Sequence, residues 1–422
     1  MRVVPFDQVA VPQSDKGKRL KQRDYLQEGP LAVIDQGQQQ IGGYTDDQTM
    51  AFEGELPVVL FGDHTRSVKL VNHPFAVGAE GIKIFRPAEG VLTKYLFYWM
   101  KSAPIPDRGY GRHYQFLRQL SVPLPTVDEQ DEIVAELEKQ FSRLDEAVAN
   151  LQRVKANLKR YKASVLKAAV EGRLVETEAI LARREGRTYE TGEQLLQRIL
   201  EERRAKWVGK GKYKEPAVPD TAGFNSLPGG WVWASGDQLT SVITDGEHIT
   251  PRRTPEGVLL LSARNVLNGR LALDDVDYVP EDEYERIAKR IAIQAGDVLL
   301  SCSGTVGRSC VVPAGLRFTL VRSVAVLRPV VMLADFMTYN LQSTHGQSQI
   351  DDRKTQTAQA NLFQGKIRQL VFALPPLAEQ TRIVAEVDRH LSIIREVEAE
   401  VDVNLQRAQA LRQATLTKCF SY

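Results

Sequence analysis

A phrase of thirteen residues, Leu124-Pro125-Thr126-Val127-Asp128-Glu129-Gln130-Asp131-Glu132-Ile133-Val134-Ala135-Glu136, returns without a gap as Leu374-Pro375-Pro376-Leu377-Ala378-Glu379-Gln380-Thr381-Arg382-Ile383-Val384-Ala385-Glu386. Leu-Pro, Glu-Gln and Ile-Val-Ala-Glu recur 250 residues on, and the same offset still pairs Leu166 with Leu416. A register held this long marks a duplicated structural unit, because solenoid repeats have periods of only roughly 20–50 residues. The fold must accommodate two copies of one element, each at the end of its own stretch of chain.

Both copies read as helices. Thr126 with Glu129 three residues on is a capping box, which satisfies orphaned N–H groups at a helix start. Downstream, Ala147, Leu151, Val154, Leu158, Tyr161, Val165 and Ala168 alternate in steps of four and three, the seam spacing for a partner helix. Gly172 is placed to end this helix, which predicts a length of roughly 60–70 Å at about 1.5 Å per residue. In the second copy Val397, Val401, Asn404, Ala408, Leu411, Thr415 and Lys418 hold the same seam positions. Its polar members demand a partner, and the first copy, running antiparallel, is the obvious one.

Short β-type runs precede each helix. Leu31-Ala32-Val33-Ile34, Pro57-Val58-Val59-Leu60-Phe61 and Ile82-Lys83-Ile84-Phe85 are answered by Val258-Leu259-Leu260-Leu261, Asp297-Val298-Leu299-Leu300-Ser301 and Val324-Ala325-Val326-Leu327. Tyr95-Leu96-Phe97-Tyr98-Trp99-Met100 reads as a short core helix. Between the halves, Thr191-Gly192-Glu193-Gln194 opens an amphipathic segment (Leu195, Leu196, Ile199, Leu200), and residues 209–216 read as a flexible basic linker. The expected fold class is α+β: two globular mixed α/β domains separated by two long helices forming an antiparallel coiled-coil spacer. The expected boundaries are 1–122, 123–173 (spacer helix), 174–226 (linker with a short amphipathic helix), 227–372 and 373–422 (second spacer helix).

Composition narrows the function classes. With 43% apolar and 26% charged residues the chain resembles ordinary soluble proteins. No apolar run approaches the roughly 18 residues of a membrane span, and the start of the chain is too polar for a signal peptide. Cys302, Cys310 and Cys419 form no zinc spacing and no even-numbered framework; the expectation is a cytoplasmic protein with no membrane partner. Net charge is only +2, yet residues 143–214 hold 18 Lys and Arg against 10 Asp and Glu. Such a stripe suits phosphates or a solvated helix equally well.

Catalytic signatures are missing where they were sought. Ser303-Gly304-Thr305-Val306-Gly307-Arg308-Ser309 has Cys302 and Arg308 where a phosphate loop needs Gly and Lys. Leu374-Pro375-Pro376-Leu377 has the prolines of an amino-methyltransferase motif without the hydrogen-bonding residue before them. Asp274, Asp275, Asp277, Glu281, Asp282 and Glu283 with Lys289 have the make-up of a nuclease site, but also of a solvated helix edge. The six histidines show no ligand spacing. We expect no catalytic residues, no metal and no cofactor.

The duplicated Leu-Pro-x-x-x-Glu-Gln-x-x-Ile-Val-Ala-Glu phrase resembles the conserved regions of Type I restriction-modification specificity (S) subunits. The resemblance covers the chain, including Leu227-Pro228-x-x-Trp231, Gly296 to Ser301, Ser303 to Gly307, and Gln359-Ala360-Asn361-Leu362. The first half departs from it, lacking the Leu-Pro-x-x-Trp entry and carrying Pro57 where the second has Asp297. The resemblance implies a subunit without catalytic activity of its own, bound to double-stranded DNA, two methyltransferase (modification) subunits and two restriction motor-nuclease subunits. Each target recognition domain would read half of a bipartite DNA sequence, and the paired helices would fix the unread gap.

Loop residues able to make bidentate contacts are the candidate readers. They are Gln36, Gln38, His64, Arg66, Arg112, His113 and Gln115 in the first domain. In the second they are Arg252, Arg253, Arg264, Asn265, Thr305, Arg308, Lys354, Gln356 and Gln359. Ile133, Val134, Leu137, Leu151, Leu158, Ile383, Val384, Val387, Val401 and Leu411 are the expected helix-packing or partner-binding positions. Two other readings remain open at this point: a self-sufficient DNA-modifying enzyme of the same architecture, and a coiled-coil scaffold with no DNA role.

Overall fold

The computed structural model describes residues 2–78, 81–109, 111–208, 211–355 and 360–420. Gln356 and Gln359 therefore lie outside the described residues. The chain falls into two compact units, one made of Met1–Val154 with Glu400–Tyr422 and the other of Lys155–Ala399.

The first unit opens with β1 (Arg2–Pro5), β2 (Ala10–Gln13), β3 (Leu31–Ile34), β4 (Gly43–Thr45), β5 (Val58–Gly62), β6 (Val68–Val71), β7 (Phe75–Val77) and β8 (Ile82–Pro87). It continues with α1 (Thr93–Ser102), α2 (Tyr114–Leu117), β9 (Ser121–Leu124) and the start of α3 (Val127–Val170). A four-stranded antiparallel sheet runs β2-β8-β5-β6, a three-stranded one runs β4-β3-β7, and β1 pairs with β9. All five residues of β5 are buried, and alternation explains why. Val59 and Phe61 point to a core shared with Phe6, Trp99 and Leu96, whereas Val58 and Leu60 point to one shared with Ile34 and Phe75. A strand covered on both faces reads as a continuous apolar run.

The second unit holds α4 (Glu178–Glu185) and α5 (Gly192–Ala205), then β10 (Val232–Ser235), α6 (Gly236–Leu239), β11 (Thr240–Asp245) and β12 (Val258–Leu261). There follow β13 (Val266–Leu267), β14 (Arg270–Leu271), β15 (Asp277–Val279), α7 (Glu281–Ala288), β16 (Val298–Ser301), β17 (Ser309–Val311), β18 (Phe318–Leu320) and β19 (Val324–Pro329). The unit closes with α8 (Ala334–Gln342), α9 (Thr344–Arg353), α10 (Gln364–Arg368), β20 (Val371–Leu374) and the start of α11 (Leu377–Phe420). Its sheets are ordered β11-β19-β16-β17, β15-β12-β18 and β10-β20. These three sheets repeat the strand order of the first unit, and the β13–β14 hairpin is an addition without a counterpart among the described residues there. The Pro57 departure has a local counterpart: Arg328 grips buried Asp297 with two bonds of 2.7 and 2.8 Å, while Arg86 pairs with Glu55 instead.

The repeated Gln explains much of the repeated phrase. Gln130 is fully buried; its Oε1 accepts from Leu92 N at 2.8 Å, and its Nε2 donates to the Gly90 and Pro125 carbonyls. Gln380, equally buried, accepts from Leu333 N at 3.0 Å and donates to the Pro375 carbonyl. Leu92 and Leu333 are the N-caps of α1 and α8. Each copy thus satisfies an orphan N–H at the start of the helix it packs on.

Each long helix has 44 residues, about 66 Å at 1.5 Å per residue. In the first unit Leu137, Phe141 and Leu416 form a buried cluster flanked by Ile133, Leu144, Cys419 and Phe420. Arg412 reaches Asp145 and lies over the Phe141 ring at 4.7 Å, so here the two helices run antiparallel. In the second unit Tyr161 hydrogen-bonds His390 at 2.8 Å, and Val165, Leu166 and Ala169 share a core with Ile383, Val387 and Leu391. Val134, Leu151, Leu158, Val384 and Val401 are buried or half-buried.

Half of each seam sits one residue later than the spacing predicts. Val148, Lys162 and Ala169 turn inward, whereas Ala147, Val154 and Tyr161 are exposed. In the second copy Glu398, Leu405, Arg412 and Cys419 are half-buried, whereas Val397, Leu411 and Lys418 are exposed. Leu411, expected to pack, is 54% exposed. The long polar side chains of Lys162 and Arg412 cover apolar surface with their stems, and their apolar neighbours mimic the seam in the sequence.

Candidate nucleic-acid interface

Three loops of the first unit meet where β3 and β5 end. The Gln36 carbonyl accepts from the Thr65 and Ser67 hydroxyls, and its side-chain Oε1 accepts from His64 N at 3.2 Å. His64 Nδ1 lies 3.2 Å from the Gly111 carbonyl, which ties in the third loop. Arg66, at φ +58°, pairs with Asp107 at 2.6 Å. Gln38, Arg112 and Gln115 are exposed around this knot, with Gln115 Nε2 donating to the Arg112 carbonyl. His113 is a correction. It has no exposed surface; its ring Nδ1 and its backbone N–H both engage the Asp63 carbonyl, so it shapes the loop rather than meeting a base.

Behind the Gln36 loop lies Lys69, buried in β6 with its Nζ 3.5 Å from Asp35. Burial pushes the ammonium down from its ordinary pKa, and the Asp35 carboxylate offsets this only in part. Asp35 also accepts from Gly37 N at 2.8 Å, which fixes the turn that presents Gln36 and Gln38.

In the second unit the equivalent hairpin turn, residues 302–307, is closed by Ser301, whose Oγ donates to the Thr305 carbonyl and accepts from Arg308 N. Thr305 is exposed and Arg308 half-exposed. Neither Arg308 nor Arg112 has a carboxylate partner among the described residues. Lys354 pairs with Asp351 at 2.6 Å. Arg252 and Arg264 belong to a separate patch, pairing with Asp282 and with Asp277 and Asp275, whereas Arg253, 3.7 Å from Asp277, also lines a cavity that it shares with Ser303 of the 302–307 turn. Glu281 and Glu283 are likewise taken by Arg317 and Arg286. Five of the six carboxylates of the acidic cluster are therefore in ion pairs, and no group of His, Cys, Asp or Glu among the described residues is placed to hold a metal. Asn265 is the second correction. It is 2% exposed, and its amide caps its own turn and donates to the Ala272 and Asp275 carbonyls.

Reading the sequence missed one feature of this surface. A cavity of about 600 Å³ opens beside the 302–307 turn, with Asp245 and Gln364 inside it and Ile249 and Phe363 on its rim. No periodicity marks it, because its residues come from four separated stretches of chain. Cys302 and Cys310 lie buried nearby, and burial pushes both thiols up to about 12, away from reactivity. No helix among the described residues is long and apolar enough to cross a membrane.

Residues 259–403 match the model of the Type I restriction modification DNA specificity domain. The chain is 24% identical over 369 residues to the specificity subunit of the Type I restriction enzyme EcoEI of Escherichia coli, covering 81% of this chain and 58% of that one. It is 23% identical over 167 residues to the EcoBI specificity subunit of the same organism, covering 39% of this chain and 35% of that one. The chain thus spans less than two thirds of the length of either relative. A chain solved in a study of complex assembly and conformational transition of the type I R-M system is similar in fold. Its TM-score is 0.61 at 18% identity, over 99% of this chain and 97% of that one.

Proposed function

We propose, from the match of residues 259–403 to the DNA specificity domain model and the likeness to the EcoEI specificity subunit, that the chain is a Type I restriction-modification specificity subunit, the DNA-reading, non-catalytic member of a Type I complex. Each unit reads one half of a bipartite gapped site in double-stranded DNA. Two methyltransferase subunits and two restriction motor-nuclease subunits are its partners, and the methyl group is placed on adenine by the partner, which takes the base out of the stack. The two 44-residue helices set the unread gap between the halves.

The observation that carries this reading is the duplication itself. The two units share the strand order of three sheets, yet they carry different side chains on the loops after equivalent strands. His64 and Arg66 on one hairpin turn answer to Gly304 and Val306 on the other. Shared scaffold with unlike loops is what a protein needs to read two unlike half-sites, since function sits on loops held by a rigid frame. Side chains such as Arg112 and Arg308 are suited to guanine in the major groove, and Gln38 to adenine.

Co-expression with its methyltransferase subunit, followed by genome-wide mapping of methylated adenine, tests the proposal. The expected result is one gapped motif that appears only when this chain is present. Methylation independent of the chain would remove the reading. S-adenosylmethionine binding by the chain alone would favour a self-sufficient enzyme instead.

A further inference from the structure

The cavity of the second unit differs from its counterpart in the first in a way the duplication makes visible. Phe363 stands 250 residues after His113, and Gln364 after Tyr114. His113 is wholly buried, whereas Phe363 is 63% exposed. The Tyr114 ring is covered by Lys83 and Arg118 at 5.5 and 5.9 Å, and the cleft it lines holds about 310 Å³. Where Gln364 replaces it, about 600 Å³ is open.

What lines the larger cavity has a definite chemistry. Asp245 Oδ1 accepts from both His248 Nε2, at 3.1 Å, and Gln364 Nε2, which leaves its other carboxylate oxygen and the Gln364 Oε1 for further donors. Phe363 and Ile249, the latter 68% exposed, stand on the rim. So do Arg322 and Arg253, the latter also 3.7 Å from Asp277, while the Glu247 carboxylate of the lining is held by Arg286. Single exposed apolar residues are ordinary. Two on the rim of one cavity, above a hydrogen-bonding floor and beside two cations, form a slot for a flat, partly polar group attached to an anionic chain.

We propose that this cleft takes a DNA base drawn out of the stack within the half-site of the second unit, with Phe363 and Ile249 against its faces and Asp245 and Gln364 accepting from an exocyclic amino group. Adenine, cytosine and guanine carry that donor, and thymine does not. Arg253 and Arg322 meet the flanking phosphates. Reading an extruded base by apolar contact on its faces and hydrogen bonds on its edge is established chemistry for nucleic-acid enzymes, and here it serves recognition without a bond being made or broken. The inference rests on the DNA-reading function proposed above. It also makes the two halves unequal, because the first unit has Tyr114 where the slot would be.

The test uses the full chain assembled with its methyltransferase subunits on duplexes carrying 2-aminopurine at successive positions of the mapped motif. One position in the second unit's half-site should brighten severalfold on binding, as an unstacked fluorophore does. Phe363→Ala, at an exposed position, should abolish that rise and weaken binding roughly 5- to 150-fold, the range for a lost base–aromatic stack. Phe363→Trp should retain both. Asp245→Asn should shift the base preferred at that position. Brightening that survives Phe363→Ala assigns the unstacking to the partner and overturns the proposal, as does the absence of any such position. Loss of brightening with the gapped footprint kept supports the cleft. A complex that recognises no gapped site overturns the DNA-reading function itself.

Discussion

Pro376 has no N–H to offer, and that missing atom changes what the repeated glutamate does. In the first copy Glu129 Oε2 accepts from Thr126 N at 2.8 Å and closes a capping box. In the second copy Glu379 is fully buried and reaches elsewhere, accepting from Trp231 Nε1 at 3.0 Å and from Glu178 N, at the start of α4, at 2.8 Å. Burial raises the Glu379 pKa, partly opposed by those donors. Burial acts on Glu178 in the same direction, but Arg187 and Arg382 outweigh it and hold that carboxyl low. The signs are opposite: Glu379 favours folding below its ordinary pKa and loses that as pH rises, while Glu178 favours folding above its own and loses it in acid. Arg382→Met removes a cation from both, so both folded pKa values rise. Its cost should be small in acid, where both carboxyls are protonated, and grow to about 2 kcal/mol as pH rises to neutrality and both ionise, read from denaturant unfolding of the second unit; a deficit flat with pH would refute the assignment. At the proposed DNA surface, Arg308→Ala should weaken specific binding by about 1–3 kcal/mol and relax one position of the motif. An unchanged affinity and motif would remove Arg308 from the readers.

At the scale of elements, the seams of α3 and α11 are the sharpest lesson. Positions 151, 158 and 165, and 401, 408 and 415, were legible in the sequence because their apolar or small residues keep a seven-residue beat. The alternate positions were not, because Lys162, Glu398 and Arg412 occupy them while Tyr161, Val397 and Leu411 stand next to them looking like core. A long polar side chain half-buried along its stem is invisible to a hydrophobic pattern. Val401→Asp should therefore destabilise the fold by about 3 kcal/mol, whereas Leu411→Asp should stay within about 0.5 kcal/mol. Equal losses in thermal or denaturant unfolding would restore the earlier seam. The paired strands, the capping boxes at Thr126 and Thr191 and the stop at Gly172 were legible because each rests on local backbone chemistry. His113 and Asn265 were misjudged as readers because burial of a polar loop residue depends on which other loops arrive, and nothing local records that.

For the whole molecule, each unit is a mixed sheet-and-helix body that borrows both ends of the repeat. The first unit needs the last turns of α11: Phe420 packs edge-on to Tyr95 at 5.3 Å, and Leu416 closes the cluster around Leu137 and Phe141. A chain cut after Ala399 should leave Lys155–Ala399 as resistant to limited proteolysis as before while α1 and the first half of α3 become cleavable. Equal resistance in the first unit would show that the C-terminal turns are dispensable to it.

That discontinuity also has a meaning in time. On the ribosome, the unit encoded first is finished last. Its residues 1–154 emerge early but lack Leu416 and Phe420 until the 245 residues of Lys155–Ala399 and most of the final 23 have been made. At 5–20 residues per second that is a wait of roughly 12–50 s. Through that interval Leu137, Phe141 and Tyr98 stay uncovered on the nascent chain, so an early stop in translation would release a protein whose second half is complete and whose first half is open to chaperones and proteases.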